Sequence, residues 1–229
     1  MLDWITRHIT VLISIAVTAA VIGIGIMSTF EPTSATAVIA ARQVYGLTAM
    51  GILLGTCLIG PFTAVFPRMP FNGVLRAGRR AMGVSAFVVA IPHVVCYVWP
   101  VLLKNWRDLY EPGLLWVVGL VLGLLAFLDL SMLAWTSRVS AVKAMGGKRW
   151  KRLHRTVYIA TPVLFLHALF IGTDFGLASP EHGEVDYGAI IAFSILTTAW
   201  LLLAWARHLC IRWPAMSFSD IPPTPSTDS

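Results

Sequence analysis

The sequence predicts an all-α, polytopic membrane protein: a six-helix transmembrane bundle. Three observations predict it. Of the 229 residues, 57% are hydrophobic and only 12% charged, where an ordinary soluble domain carries about 25% charge. Six apolar runs are each about 20 residues long, enough to cross roughly 30 Å of hydrocarbon. Basic residues collect in alternate loops between those runs, as they do when a chain weaves through a bilayer.

The first run covers residues 9–27. It is longer than the 7–15-residue core of a secretory signal, so a retained helix is expected, with a cleaved signal the lesser alternative. The second, 44–65, carries Gly51 and Gly55 at the small-xxx-small spacing that lets helices approach closely. The third, 81–102, follows Arg76, Arg79 and Arg80 and contains His93. The fourth is 114–135, the fifth 154–173 and the sixth 187–206. In lipid only a helix satisfies the backbone over such continuous apolar stretches. Residues 1–213 are therefore read as one membrane domain. Residues 214–229, rich in Pro, Ser and Thr, are expected to be a disordered cytoplasmic tail.

Arg68, Arg76, Arg79 and Arg80 fall between runs two and three, and Arg138, Lys143, Lys148, Arg149, Lys151 and Arg152 between runs four and five. The loop between runs five and six holds Asp174, Glu181, Glu184 and Asp186 and no basic residue. The positive-inside rule then puts both termini in the cytoplasm and the acidic loop outside. The formal net charge of +6 is explained by the cytoplasmic loops and calls for no nucleic-acid partner. Cys57, Cys96 and Cys210 lie far apart in or beside apolar runs. They lack metal-site spacing and are expected to be small hydrophobes in helix packing.

The most informative stretch is Lys148 to Phe170, a basic cluster running into an apolar helix with His154 and His167 near its two ends. Ionisable residues inside a membrane helix are costly and mark functional sites. In the expected topology runs three and five point the same way, and His93 and His167 lie at similar depth. A lone buried histidine is more often a hydrogen-bonded core residue. Two at one depth on neighbouring helices favour the two axial positions of a haem iron. Gly83, Ala86 and Ala90 offer a surface for a flat macrocycle. His154 precedes His167 by 13 residues, about 20 Å along a helix, which fits a second cofactor nearer the cytoplasm. At about 100° per residue the two rings fall on different faces. Either two haems are rotated relative to each other, or Pro162 bends the helix between them. Arg79 stands 14 residues before His93, where a symmetric inner ligand would be. It either pairs with an anionic group such as a haem propionate or is an ordinary positive-inside arginine.

Asp129 in run four is placed near the depth of His154 and Arg79. A proton-handling or quinone site and a plain ion pair with an arginine are both open readings. His182 with Glu181 and Glu184 forms an outer-loop cluster that is either a cation or partner site or, more commonly, a solvated loop. His8 and His208 flank helix ends and read as interfacial.

Residues Arg79 to Tyr97, RRAMGVSAFVVAIPHVVCY, resemble the third-helix pattern of ferric reductase-like transmembrane domains. Residues Thr136 to Ala168, TSRVSAVKAMGGKRWKRLHRTVYIATPVLFLHA, resemble their following loop and fifth helix. Val84 replaces a leucine of the family pattern, and Pro92 immediately precedes His93. The resemblance spans roughly residues 43–170 and is closest to the MsrQ-type haem-binding membrane subunit of periplasmic methionine sulfoxide reductase systems. It implies a haem b protein, with one or two haems, moving electrons across the bacterial inner membrane. The donor would be quinol or a cytoplasmic flavin reductase, with FMN or quinone at the cytoplasmic side. The acceptor would be a periplasmic reductase such as a molybdopterin methionine sulfoxide reductase. Carried onto this chain, His93 and His167 ligate the outer haem, His154 serves the second cofactor, and Arg79 matches the family's inner position on helix three. No GxGxxG or P-loop pattern is present, so a separate donor is expected. The chain would then be an electron-transfer subunit and not the substrate-converting one. Two alternatives stand beside this reading: a transmembrane reductase delivering electrons directly to ferric iron or another small acceptor, and a non-redox structural or transport membrane protein.

Overall fold

A computed structural model describes residues 2–29, 35–104, 113–171 and 187–212. The acidic loop with Glu181, His182 and Glu184, and the segment after residue 212, lie outside the described residues. Among the described residues the chain is entirely helical: α1 (Leu2–Thr29), α2 (Ala35–Val65), α3 (Asn72–Lys104), α4 (Leu114–Thr136), α5 (Val139–Met145), α6 (Gly147–Leu153), α7 (Val157–Ile171) and α8 (Tyr187–Arg212). Four stretches of the described residues are long and apolar enough to cross a membrane: Ala41–Val65, Asn72–Val98, Leu114–Thr136 and Gly147–Ile171. The chain is a polytopic all-α membrane protein.

Helices α2 and α3 begin well before the apolar runs that they contain. A helix does not end where hydrocarbon ends; polar residues such as Asn72, Arg76 and Arg79 continue α3. After α2 the chain turns through Phe66–Pro67, and the Asn72 amide donates back to the Phe66 carbonyl at 2.6 Å. This side-chain bond joins the Met69 N–H on the same carbonyl, at 3.4 Å, and ties the turn to the start of α3. Helices α5 and α6 are two short pieces hinged at Gly146, whose φ of 75° and ψ of 148° lie where essentially only glycine goes. Gly146→Ala is expected to cost roughly 1–3 kcal/mol, seen as a lower thermal unfolding midpoint in detergent. A midpoint equal to wild type would show that the hinge relaxes freely.

Helix α2 is the centre of the molecule. Its Tyr45 and Ala49 pack with Val89 of α3 and Val17 and Val21 of α1. Its Met50 and Leu54 pack with Phe193 of α8 and Phe165 of α7. Its Leu53 packs with Ala86 of α3 and Leu130 and Leu133 of α4. Half of its span is buried, against 11% for Gly147–Ile171, so the histidine-bearing helix is peripheral by comparison. The outward faces stay apolar. On α4, Leu114, Val118, Val121, Leu125, Leu128, Met132 and Trp135 are exposed, while Gly119, Ala126, Leu130 and Leu133 are buried. A helix apolar on both faces has lipid, not water, on the outer one.

The spans form two tight pairs, α2 with α3 and α4 with α7, which touch each other far less. Helix α1 covers α3, with Ile9 and Ile13 against Gly78, and α8 covers α2. Between the two pairs lies a cavity of about 340 Å³, within the range of small-ligand sites.

Candidate functional site

The cavity is walled by all four helices of the two pairs. Leu53, Ala86, Leu130 and Leu164 line its apolar depth. His93 of α3 and His167 of α7 face into it from opposite pairs, joined by Arg42, Gln43 and Tyr97. The two imidazole rings are 6.3 Å apart, centre to centre, with their planes at 87°.

Each ring is held in the same way. His93 Nδ1 lies 2.9 Å from the carbonyl oxygen of Arg42, and His167 Nδ1 lies 2.8 Å from that of Gly119. A carbonyl only accepts, so each Nδ1 carries the proton and each Nε2 keeps its lone pair. A carbonyl in that position fixes a ligating histidine's tautomer and raises its basicity.

The local sequence makes those carbonyls reachable. Four residues beyond Arg42 is Gly46; four beyond Gly119 is Gly123. In a helix the side chain at i+4 stands over the carbonyl of residue i, so a glycine there opens a lateral approach. A Cβ on Gly46 would sit 2.8 Å from His93 Nδ1, and one on Gly123 would sit 2.5 Å from His167 Nδ1 and Cε1. Both histidines therefore lie in slots that glycine alone leaves open. Gly119 has its own reason: a Cβ there would meet Ile171 Cγ1 at 2.6 Å. Arg42, Gly46, Gly119 and Gly123 were not singled out by the sequence. The signal that could have found them is the repeated four-residue step to a glycine, R-x-x-x-G on α2 and G-x-x-x-G on α4. Of the small residues that were singled out, Ala86 and Ala90 line the cavity. Gly83 instead faces Thr56, while Gly51 and Gly55 make no tight approach.

At the other end of the bundle the remaining candidates fall in three hydrogen-bonded groups. His154 caps α6 and lies in the turn 154–156 before α7. Its Nε2 is 3.3 Å from the Thr136 hydroxyl, and its ring packs on Trp150 at 4.1 Å. The indole of Trp150 donates to the Thr136 carbonyl at 3.0 Å. The chain turns at 154–156 between α6 and α7, and His154 and His167 both meet α4, at Thr136 and Gly119. Asp129 accepts a 2.8 Å hydrogen bond from the Thr156 hydroxyl through Oδ1, while its Oδ2 is buried without a partner. Among the described residues it forms no ion pair with an arginine.

Arg79 donates to the Tyr158 hydroxyl at 2.8 Å. The Tyr158 ring stacks on Trp200 of α8 at 6.1 Å and 8°. Cys57 is buried and lies 3.5 Å from the Thr161 hydroxyl; Cys96 is half-buried. His8 bonds the Trp4 carbonyl, four residues back, on an exposed face, and His208 is exposed. No group of three or more His, Cys, Asp or Glu side chains gathers as a bare-ion site among the described residues.

Known proteins are similar to this chain in sequence. The chain is 29% identical over 182 residues to the "Protein-methionine-sulfoxide reductase heme-binding subunit MsrQ" of Azospira oryzae, covering 75% of this chain and 68% of that one. The protein of the same name from Cronobacter sakazakii is 29% identical over 168 residues, 73% of this chain and 75% of that one. "Magnetosome protein MamZ" of Magnetospirillum gryphiswaldense is 40% identical over 110 residues, 46% of this chain. The chain spans only 15% of that relative's length, and 18% of the MamZ of Paramagnetospirillum magneticum. No solved structure matches the chain. The family model described as "Ferric reductase like transmembrane component" matches residues 44–165, more than half of the chain and the part that holds His93, Asp129 and His154: the protein belongs to the ferric reductase-like transmembrane family.

Proposed function

We propose that this protein holds b-type haem between His93 and His167 and carries electrons across the bacterial inner membrane. One observation carries the reading: two imidazoles on separate helix pairs, 6.3 Å apart, each with Nδ1 tied to a carbonyl. Two neutral imidazoles that reach one cavity from opposite helix pairs, each with Nδ1 engaged and Nε2 left as a donor, are a ligand set that would hold a haem iron. The donor set therefore fits the group. Bound haem supplies one-electron iron chemistry. The chain's own residues do the rest. His93 and His167 would hold the iron through Nε2, and the carbonyls of Arg42 and Gly119 hold the two rings in one tautomer. Ala86, Ala90, Leu120 and Phe127 supply a dry wall.

His154, with Arg79 and Tyr158 near the same end of the bundle, would serve a second cofactor: an inner haem, FMN or quinone. The basic loops support a cytoplasmic location for that end and for both termini, with six crossings in all. The donor is then quinol or a cytoplasmic flavin reductase. The acceptor is a periplasmic reductase of the methionine sulfoxide type, supported by the relatives named as its haem-binding subunit. The family description supports a second reading, direct reduction of ferric iron or another small acceptor; purified protein that reduces ferric chelates without a partner would favour it.

The test is a reduced-minus-oxidised optical spectrum with haem counted per chain. A b-type spectrum is expected, lost in His93→Ala and in His167→Ala. A count near two that falls by one in His154→Ala would add the inner haem. Folded protein without haem, from haem-replete cells, would overturn the reading.

A further inference from the structure

The bundle carries a second concavity, on its outer surface and at its basic end. It is a groove of about 310 Å³ between α2, the start of α3 and α8. Its floor is one stripe of α2 at helical spacing, with Gly55, Ile59 and Phe62. Phe71 and Leu75 form one bank, Ala199 and Leu203 the other. Every residue of the lining is apolar, so no side chain in it can hydrogen-bond a guest. Gly55 keeps the floor open. A Cβ there would meet only the flexible end of Met82, at 3.7 Å, so helix packing alone does not require a glycine. The mouth of the groove differs in kind. Arg76 follows Leu75 and is exposed, and its guanidinium donates to the Thr63 carbonyl at 3.1 Å, which stands it beside Phe62. That bond uses one of the several N–H donors of the fork. Arg207 lies one turn beyond Leu203 on the same face of α8 and is also exposed. Helices α2, α3 and α8 contain no Asp or Glu.

We propose that this groove is a lipid site: it takes an acyl chain of an anionic phospholipid and sets the phosphate against Arg76 and Arg207. Shape and charge select that guest. The floor and banks suit a chain without polar atoms. The arginines at the mouth suit an anion, because basic residues at a bilayer surface attract anionic headgroups and a guanidinium pairs its fork with phosphate oxygens. A quinone shares the long apolar tail, but its ring needs hydrogen bonds that the lining lacks and brings no charge to the mouth. A zwitterionic lipid brings a cation beside its phosphate, which works against the arginines. A lipid held this way braces α8, through Ala199 and Leu203, against α2 and the start of α3. Nothing in this site depends on haem between His93 and His167.

The experiment is native mass spectrometry of the detergent-purified full chain, mixed with equal amounts of phosphatidylglycerol and phosphatidylcholine that carry identical chains. Wild type is expected to retain one phosphatidylglycerol, with a preference of about fivefold or more over phosphatidylcholine. Gly55→Leu fills the floor and Ala199→Leu fills it from the α8 side; each should lose the retained lipid of both kinds. The double variant Arg76→Gln, Arg207→Gln should still retain lipid but lose most of the preference. Lys148→Gln with Arg149→Gln, in the other basic loop, is the control and should match wild type. Equal retention of the two lipids by wild type would overturn the proposal. So would a preference unchanged in Gly55→Leu, Ala199→Leu and the arginine double variant, which would mark a general attraction to the basic loops. Displacement of the retained phosphatidylglycerol by an equimolar long-tailed quinone would assign the groove to quinone instead.

Discussion

Gly123→Ala is expected to strip most of the haem from the protein without unfolding it. The new Cβ would lie 2.5 Å from His167 Nδ1 and Cε1, inside van der Waals contact, so the ring must leave its slot. It then loses the Gly119 carbonyl and the position that faces His93. Overpacking of this kind costs about 1–3 kcal/mol, so retention should fall about ten- to hundredfold. Gly46→Ala should act the same way on His93, less severely because its Cβ would meet Nδ1 at 2.8 Å. Alanine is also the better helix former, by about 1 kcal/mol, so the helices themselves should be no weaker. Haem per chain and the thermal midpoint of the apoprotein are therefore expected to part company. Gly51→Ala is the control: its Cβ would meet nothing within 4 Å, and haem content should match wild type. Haem retained in Gly123→Ala and Gly46→Ala would show that the slots do not set the histidines.

The contrast between Gly51 and Gly123 shows where sequence reading stops. Spans are legible because hydrocarbon imposes one crude demand, about 20 apolar residues, that composition reports directly. His93 and His167 are legible because an imidazole is expensive among such residues and must have a use. A glycine is cheap anywhere in a membrane helix, so its use shows only when a neighbour is known. Spacing drew attention to Gly51 and Gly55, while the close approaches are at Gly46 and Gly123, where a histidine from another helix arrives. The central role of α2 is hidden for a related reason. Lipid-facing and core-facing helices are equally apolar, so hydropathy cannot rank them; Leu53 and Leu54 look no different from the exposed Leu124 and Leu125 until packing is known. The turn at 154–156 is hidden because Arg155 and Thr156 carry no glycine or proline to signal it. That turn carries His154, which reaches Thr136 of α4 from it.

Asp129→Leu is expected to raise the protein's stability while impairing its function, and the opposition of the two signs is informative. Asp129 sits within an apolar span with one oxygen bonded to Thr156 and the other buried and unpartnered. Thr156 would lose little by the change, because its hydroxyl is also 2.8 Å from the Leu153 carbonyl. Removal therefore orphans no donor and relieves a buried carboxylate of its desolvation cost, about 1–3 kcal/mol. The thermal midpoint should rise by several degrees. A residue that costs stability and forms no ion pair is best explained by what it does. Its hydrogen-bond partner Thr156 stands two residues from His154, a place that suits proton exchange at the second cofactor site. Asp129→Asn keeps the shape and one acceptor but cannot take up a proton. Under the proton role, Asn and Leu should slow electron delivery equally, and the midpoint potential of the cofactor near His154 should lose its pH dependence in both. If Asn behaves as wild type, only the hydrogen bond to Thr156 matters. A lower midpoint in Asp129→Leu would show instead that the carboxylate supports the fold.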